Sequence, residues 1–146
     1  MEKKIIIPAR PADAVLIKNI DDVSFDKFFH EDLEYYEECF KKGNESFLLM
    51  VGDLAVGEII LRQEFDGSLG IESFAIVPQF RKKGLSKFLL EFIDEYAIPF
   101  GKIVLEVFVD NKKAIDLYTK NGYNISNTLK NFYCEGYDAY RMEKLL

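Results

Sequence analysis

Two hydrophobic periods alternate along the chain, and each change of period marks a boundary between elements. Residues 3–7 read as a short strand closed by Pro8. Pro11-Ala12-Asp13 opens a helical stretch whose apolar positions are Ala14, Val15, Ile17 and Ile20. A second helix is expected over 30–42, where Leu33, Tyr36, Cys39 and Phe40 recur at helical spacing until Gly43-Asn44 stops it. Residues 47–51 and 54–61 make a hairpin about Gly52-Asp53, and 69–77 form the next strand, ended by Pro78. The period then lengthens. Leu85, Phe88, Leu89, Phe92, Ile93 and Tyr96 form one stripe of a helix that Pro99 and Gly101 end. Residues 103–109 are nearly all apolar, as a strand buried on both faces requires. A short helix over 111–120 stops at Asn121-Gly122, with the glycine placed for a left-handed cap. Residues 123–129 and 132–145 are expected to close the chain as two antiparallel strands. This order describes an α/β chain: a mixed sheet with helices on its faces.

Composition narrows the class. A chain of 146 residues, 49% hydrophobic and 30% charged, is long enough for one domain with a buried core. The apolar run after the first lysines is too short for a signal peptide, and no stretch is long enough to cross a bilayer. Cys39 and Cys134 lie far apart, with no neighbouring His and no ligand spacing. They are expected to be free thiols in a reducing cytoplasm, neither a nucleophile nor a metal set. The net charge of -6 argues against nucleic acid as a partner. That charge is concentrated: from Asp13 to Glu45 there are ten acidic and four basic side chains. Solvated helices explain such a run most simply. A rim that attracts a cationic amine is the functional alternative.

The chemistry concentrates where the fourth strand segment meets the long helix. Phe74-Ala75-Ile76-Val77-Pro78-Gln79-Phe80 ends a strand, and Arg81-Lys82-Lys83-Gly84-Leu85-Ser86 leads into the helix. A helix start offers unpaired N–H groups and partial positive charge to an anion such as pyrophosphate. Gly84 lets backbone approach phosphate without a Cβ, Ser86 is small, and Lys82 and Lys83 can add charge. Alone, a basic turn before a helix is more often a solvated connection. A second segment changes the weighing: a strand, then Asn111, Ala114, Tyr118 and a closing Lys120-Asn121-Gly122-Tyr123.

With both segments in place the chain resembles the GNAT superfamily of N-acetyltransferases. Arg81-Lys82-Lys83-Gly84-Leu85-Ser86 matches that family's pyrophosphate loop, Arg/Gln-x-x-Gly-x-Gly/Ala, with Ser86 as the one departure. Asn111, Ala114, Tyr118 and Lys120-Asn121-Gly122-Tyr123 match its later strand-helix signature. The resemblance implies a mostly antiparallel sheet of about seven strands with about four helices, splayed between the fourth and fifth strands. It implies one acetyltransferase domain over 1–146, with acetyl-CoA as co-substrate and no metal. Pantetheine would pair with backbone at Ile76 and Val77, and the amides from Arg81 through Lys82, Lys83, Gly84 and Leu85 to Ser86 would hold the pyrophosphate.

Tyr118 resembles the family's general acid, which protonates the departing thiolate; otherwise it is a helix Tyr packed on the sheet. Asn111 either contacts pantetheine or acceptor, or caps its own helix, or does both. Glu72 on the central strand is the preferred base for the amine, and Glu106 the other candidate; for each the simpler role is an ion-paired or solvated carboxylate. His30 reads as a surface residue. The expected reaction is direct attack of a primary amine, of a small molecule or a peptide, on acetyl-CoA, in the cytoplasm and without a membrane partner. The family also carries homodimers as an expectation. A non-catalytic acyl-CoA sensor on the same fold is the first alternative. A nucleotide-binding domain using Lys82 and Lys83 is the second, and it leaves the Asn111 and Tyr118 segment unexplained.

Overall fold

A computed structural model describes residues 2–146. Seven strands form a mixed sheet in the order β1-β2-β3-β4-β5-β7-β6. They are β1 (Lys4–Pro8), β2 (Glu45–Val51), β3 (Leu54–Gln63), β4 (Leu69–Ile76), β5 (Lys102–Phe108), β6 (Asn124–Cys134) and β7 (Tyr137–Leu145). Four α-helices accompany them: α1 (Ala14–Ser24), α2 (Leu33–Lys41), α3 (Leu85–Ala97) and α4 (Lys112–Lys120). None is long and apolar enough to cross a membrane. The chain gathers into two compact units, the residues through Arg62 with Glu72–Leu89, and Gln63–Ile71 with Leu90–Leu146.

In the first unit, β1 and β3 flank β2 antiparallel, with Lys4 opposite Val51 and Glu45 opposite Leu61. Ala14, Ile17 and Ile20 recur along α1 and form a core with Tyr36 and Cys39 of α2, Leu48 of β2, Ile60 of β3 and Ala75 of β4. Each fully buried aliphatic side chain contributes about 1.5–3 kcal/mol of transfer free energy there. The expected helix over 30–42 begins later. Asp32 is its N-cap and accepts from the backbone N–H of Tyr35 at 3.1 Å, so the helical turns start at Leu33.

In the second unit, β5 pairs antiparallel with β7 along its whole length, and β6 pairs with β7. Ile103, Val104 and Leu105 are buried in succession, as their unbroken apolar run requires. The start of β4 pairs parallel with β5 through Leu69, Gly70 and Ile71 opposite Ile103, Val104 and Leu105, which fits the expected splay between these strands. The buried stripe of α3 is Leu85, Leu89, Leu90, Ile93 and Ala97; Phe88, Phe92 and Tyr96 sit half-buried at its edge.

The closing hairpin differs from expectation. Its first strand runs on to Cys134, and the turn comes at Glu135-Gly136 and not near residue 130. The Asn131 side chain accepts from the Gly136 N–H and its own N–H donates to Asp138 Oδ1, both at 2.8 Å. These bonds hold Asn131 at a φ of 54° inside the strand, a bulge that alternation alone does not announce.

Candidate active site

The first unit carries the loop and one carboxylate. Gly84 accepts the first bond of α3, from Phe88 N–H at 3.2 Å, so Leu85 and Ser86 stand in the first turn, where a helix offers its N–H groups to an anion. Gly84 stands at a φ of 79°, and a Cβ there would meet nothing within 4 Å, so the approach to these amides is open. Lys82, a non-glycine at a φ of 61°, turns the loop; Lys82 and Lys83 are exposed. The chain therefore offers an anion a glycine-cleared helix start with two cations beside it.

Arg81 has a different job from its neighbours. Its Nε donates to the Ile76 carbonyl at 2.9 Å and its Nη2 to the Ser24 carbonyl at 3.0 Å, tying the loop to the ends of β4 and α1. Arg81→Ala should therefore lower stability by about 1–2 kcal/mol, with Arg81→Lys restoring only part, because lysine cannot make both bonds of the fork. Denaturant midpoints of the three proteins check this. At the neighbouring position, Val77 N–H donates to the Val56 carbonyl at 2.9 Å and the Val77 carbonyl accepts from Phe80 N–H at 3.0 Å. Backbone groups alternate sides along a strand, so the N–H of Ile76 points away from β3.

Glu72, also in this unit, sits half-buried on β4. One carboxylate oxygen accepts from Arg62 Nη1 of β3 at 2.7 Å, and the other accepts from the Tyr35 hydroxyl of α2. Burial, then Glu72 itself, pushes the Tyr35 phenol far above its usual range, so it remains a donor. Glu31 at the start of α2's lead-in has its carboxyl raised, first by burial and then by Asp32 and Glu72. Three carboxylates thus share one electrostatic neighbourhood. His30 is only half-exposed; its Nε2 lies 2.9 Å from the Phe25 carbonyl.

The second unit carries the phenol. Asn111 caps α4, accepting from Ala114 N–H at 3.2 Å, so the capping reading of this residue holds. The other end of α4 closes in a Schellman motif: Gly122 N–H bonds the Thr119 carbonyl and Tyr123 N–H bonds the Tyr118 carbonyl. Gly122 takes a φ of 94° to do so. The same motif brings the Tyr123 ring edge-on to Tyr118, with centroids 5.5 Å apart at 62°. Tyr118 is therefore fixed at both ends of its helix and is buried, at 8% exposure. Glu106 is paired: Arg141 reaches it at 3.1 Å and Glu64 at 3.5 Å.

Sequence reasoning missed Tyr35 and Arg62 as the partners of Glu72. It also missed a buried cluster of Asp21, Glu58, Ser73 and Tyr36, in which the Tyr36 hydroxyl donates to Asp21 at 2.7 Å and Ser73 to Glu58 at 2.6 Å. The one available signal was Glu58 itself, a charge inside the apolar run Val56-Gly57-Glu58-Ile59-Ile60-Leu61.

Comparison with known proteins agrees with the fold. The family described as "Acetyltransferase (GNAT) family" matches residues 15–123. An N-alpha-acetyltransferase of Saccharolobus solfataricus is 32% identical over 135 residues, covering 82% of this chain and 76% of its own. N-alpha-acetyltransferase 50 of Danio rerio is 28% identical over 144 residues, covering 93% of this chain and 84% of its own. Among solved structures, Ard1 from Thermoplasma volcanium superposes with a TM-score of 0.88 over 98% of this chain and 97% of that one, at 23% identity. The chain belongs to the GNAT acetyltransferase family, and it is an N-acetyltransferase of that type.

Proposed function

We propose that the protein transfers an acetyl group from acetyl-CoA to the α-amine at a peptide's N-terminus. The observation that carries the acceptor is Glu72, held between Arg62 and Tyr35 with Glu31 and Asp32 nearby, an anionic setting suited to an incoming ammonium. Relatives covering most of the chain bear the name N-alpha-acetyltransferase, which favours a peptide α-amine over other amines.

Acetyl-CoA, the family's co-substrate, supplies a thioester carbonyl and a thiolate leaving group. The N–H groups of Leu85 and Ser86 and the charges of Lys82 and Lys83 suit its pyrophosphate. Ile76 N–H, aimed away from β3, suits the pantetheine arm; the polar groups of Val77 are already bonded. Glu72 receives the ammonium and takes its proton, leaving a neutral nitrogen to attack the carbonyl carbon. The attack leaves a cationic nitrogen whose second proton passes to solvent, and as the C–S bond breaks the Tyr118 hydroxyl gives its proton to sulfur and regains one from solvent. No covalent enzyme intermediate is required; Cys39 is buried, and burial pushes its thiol up, which disfavours the thiolate. A cytoplasmic location fits free cysteines, and it belongs to this proposal.

The test is thiol release from acetyl-CoA across peptides, their N-terminally blocked counterparts, polyamines, amino sugars and free amino acids. Turnover is expected with free-α-amine peptides and is expected to vanish on blocking. The acidic segment through α1 and α2 favours a small polycation as the second reading. Release with polyamines alone would select it.

A further inference from the structure

Behind the Glu72 site lies a group of ionisable side chains that the reaction does not use. Asp21 of α1 and Glu58 of β3 are 3% and 0% exposed. Asp21 Oδ2 accepts from the Tyr36 hydroxyl at 2.7 Å and lies 3.3 Å from Ser73 Oγ; Glu58 Oε1 lies 2.6 Å from the same Ser73 Oγ. That leaves one oxygen on each carboxyl, Asp21 Oδ1 and Glu58 Oε2, buried and without a hydrogen-bond partner. The Asp21 and Glu58 side chains also lie within hydrogen-bond reach of each other, so these two buried acceptors are satisfied together if one proton lies between the carboxyls. Among the described residues, Asp22 of α1, Tyr36 and Cys39 of α2 and Ser73 of β4 face the pair, and none of these four brings a positive charge.

The cluster meets the candidate site through two adjacent pairs of residues. Tyr35 and Tyr36 are consecutive on α2, and Glu72 and Ser73 are consecutive on β4. The first of each pair forms the Tyr35 to Glu72 bond; the second of each bonds the buried carboxyls. Neighbouring Cα atoms are fixed about 3.8 Å apart, so a lock on Tyr36 and Ser73 constrains the backbone positions from which Tyr35 and Glu72 extend.

We propose that Asp21 and Glu58 are positioning residues: one proton shared between their carboxyls holds Tyr36 and Ser73, and thereby sets Tyr35 against Glu72. The inference rests on the reading of Glu72 as the residue that receives the amine. Burial and the Asp21 charge raise the Glu58 carboxyl well above its ordinary value of 4.5, and burial raises Asp21 as well, in keeping with a retained proton. A raised folded value means that Glu58 contributes stability below pH 4.5 that is lost as pH rises through the raised value. Glutamine keeps the shape and carries its own N–H in place of that proton, so its contribution does not change across that window.

The test compares Glu58→Leu and Glu58→Gln with the wild type, using acetyl-CoA and a free-α-amine peptide. Glu58→Leu should lower kcat roughly tenfold or more by displacing the aligned groups, and Glu58→Gln should restore it. The ratio of Glu58→Gln to wild-type kcat should rise with pH, a comparison in which the acceptor's own titration cancels. The Tm difference between the same two proteins should rise in parallel. Unmodified protein at neutral pH should also show the infrared carbonyl band of a protonated carboxylic acid, a readout that needs no variant. Absence of that band, or parallel pH profiles for wild type and Glu58→Gln, overturns the shared proton. A Glu58→Leu protein that is less stable but keeps full kcat overturns the positioning role. If Glu72→Gln keeps its turnover while the band and the Tm behaviour remain, the reading of Glu72 fails and the buried pair stands.

Discussion

Tyr118→Phe is expected to lower kcat about a hundredfold while leaving acetyl-CoA affinity nearly unchanged. The substitution is chosen because the geometry isolates one atom. Tyr118 is buried, its carbonyl accepts the Schellman bond from Tyr123, and its ring packs edge-on against that same residue at 5.5 Å. Phenylalanine keeps the ring, the helix end and the edge contact, so only the proton donor is lost. A positioned general acid is typically worth about 10²–10⁴ in rate, and a thiolate is a fair leaving group, which places the loss near the lower end. Steady-state kcat with calorimetric acetyl-CoA binding separates the two effects. Equal turnover in both proteins would remove Tyr118 from the chemistry.

Glu72→Gln is the second large effect: a fall in kcat/KM for the peptide of about a hundredfold, again with acetyl-CoA binding intact. Glutamine has nearly the same shape, and its carbonyl can still accept from Arg62 or Tyr35, so the frame around it should survive. What disappears is the negative charge that, in the proposed reaction, draws in an ammonium and accepts its proton. The deficit should shrink as pH rises, because more of the acceptor then arrives already neutral. A loss that is the same at every pH would make Glu72 a structural member of the Arg62 and Tyr35 network and not a base.

Much of the framework was legible because its signals are local. The nearly unbroken apolar run from Ile103 to Val107, interrupted by Glu106, identified a strand buried on both faces, and the stripe through Leu85, Leu89 and Ile93 identified α3. Asn111 and Gly122 marked the two ends of α4 by capping chemistry alone. What stayed hidden depends on partners distant in sequence. Asp21 lies in a run of acidic residues that reads as solvated surface, yet it is buried against Tyr36, and nothing in its local sequence distinguishes it from Asp22. Arg81 looked like one cation among three; only the fold shows its guanidinium committed to the carbonyls of Ile76 and Ser24. The turn of the last hairpin moved because Asn131 bonds across it to Gly136 and Asp138, an interaction without a periodic signature.

The central claim is transfer of acetyl from CoA to a peptide α-amine. It is tested most directly by incubating the protein with acetyl-CoA and a peptide carrying both a free N-terminus and an internal lysine, then locating the acetyl group by tandem mass spectrometry. A single acetyl is expected on the N-terminal nitrogen, formed at the rate of thiol release and absent from the N-terminally blocked peptide. Acetyl found on the lysine alone, or a peptide left unmodified while a polyamine is acetylated, would contradict it.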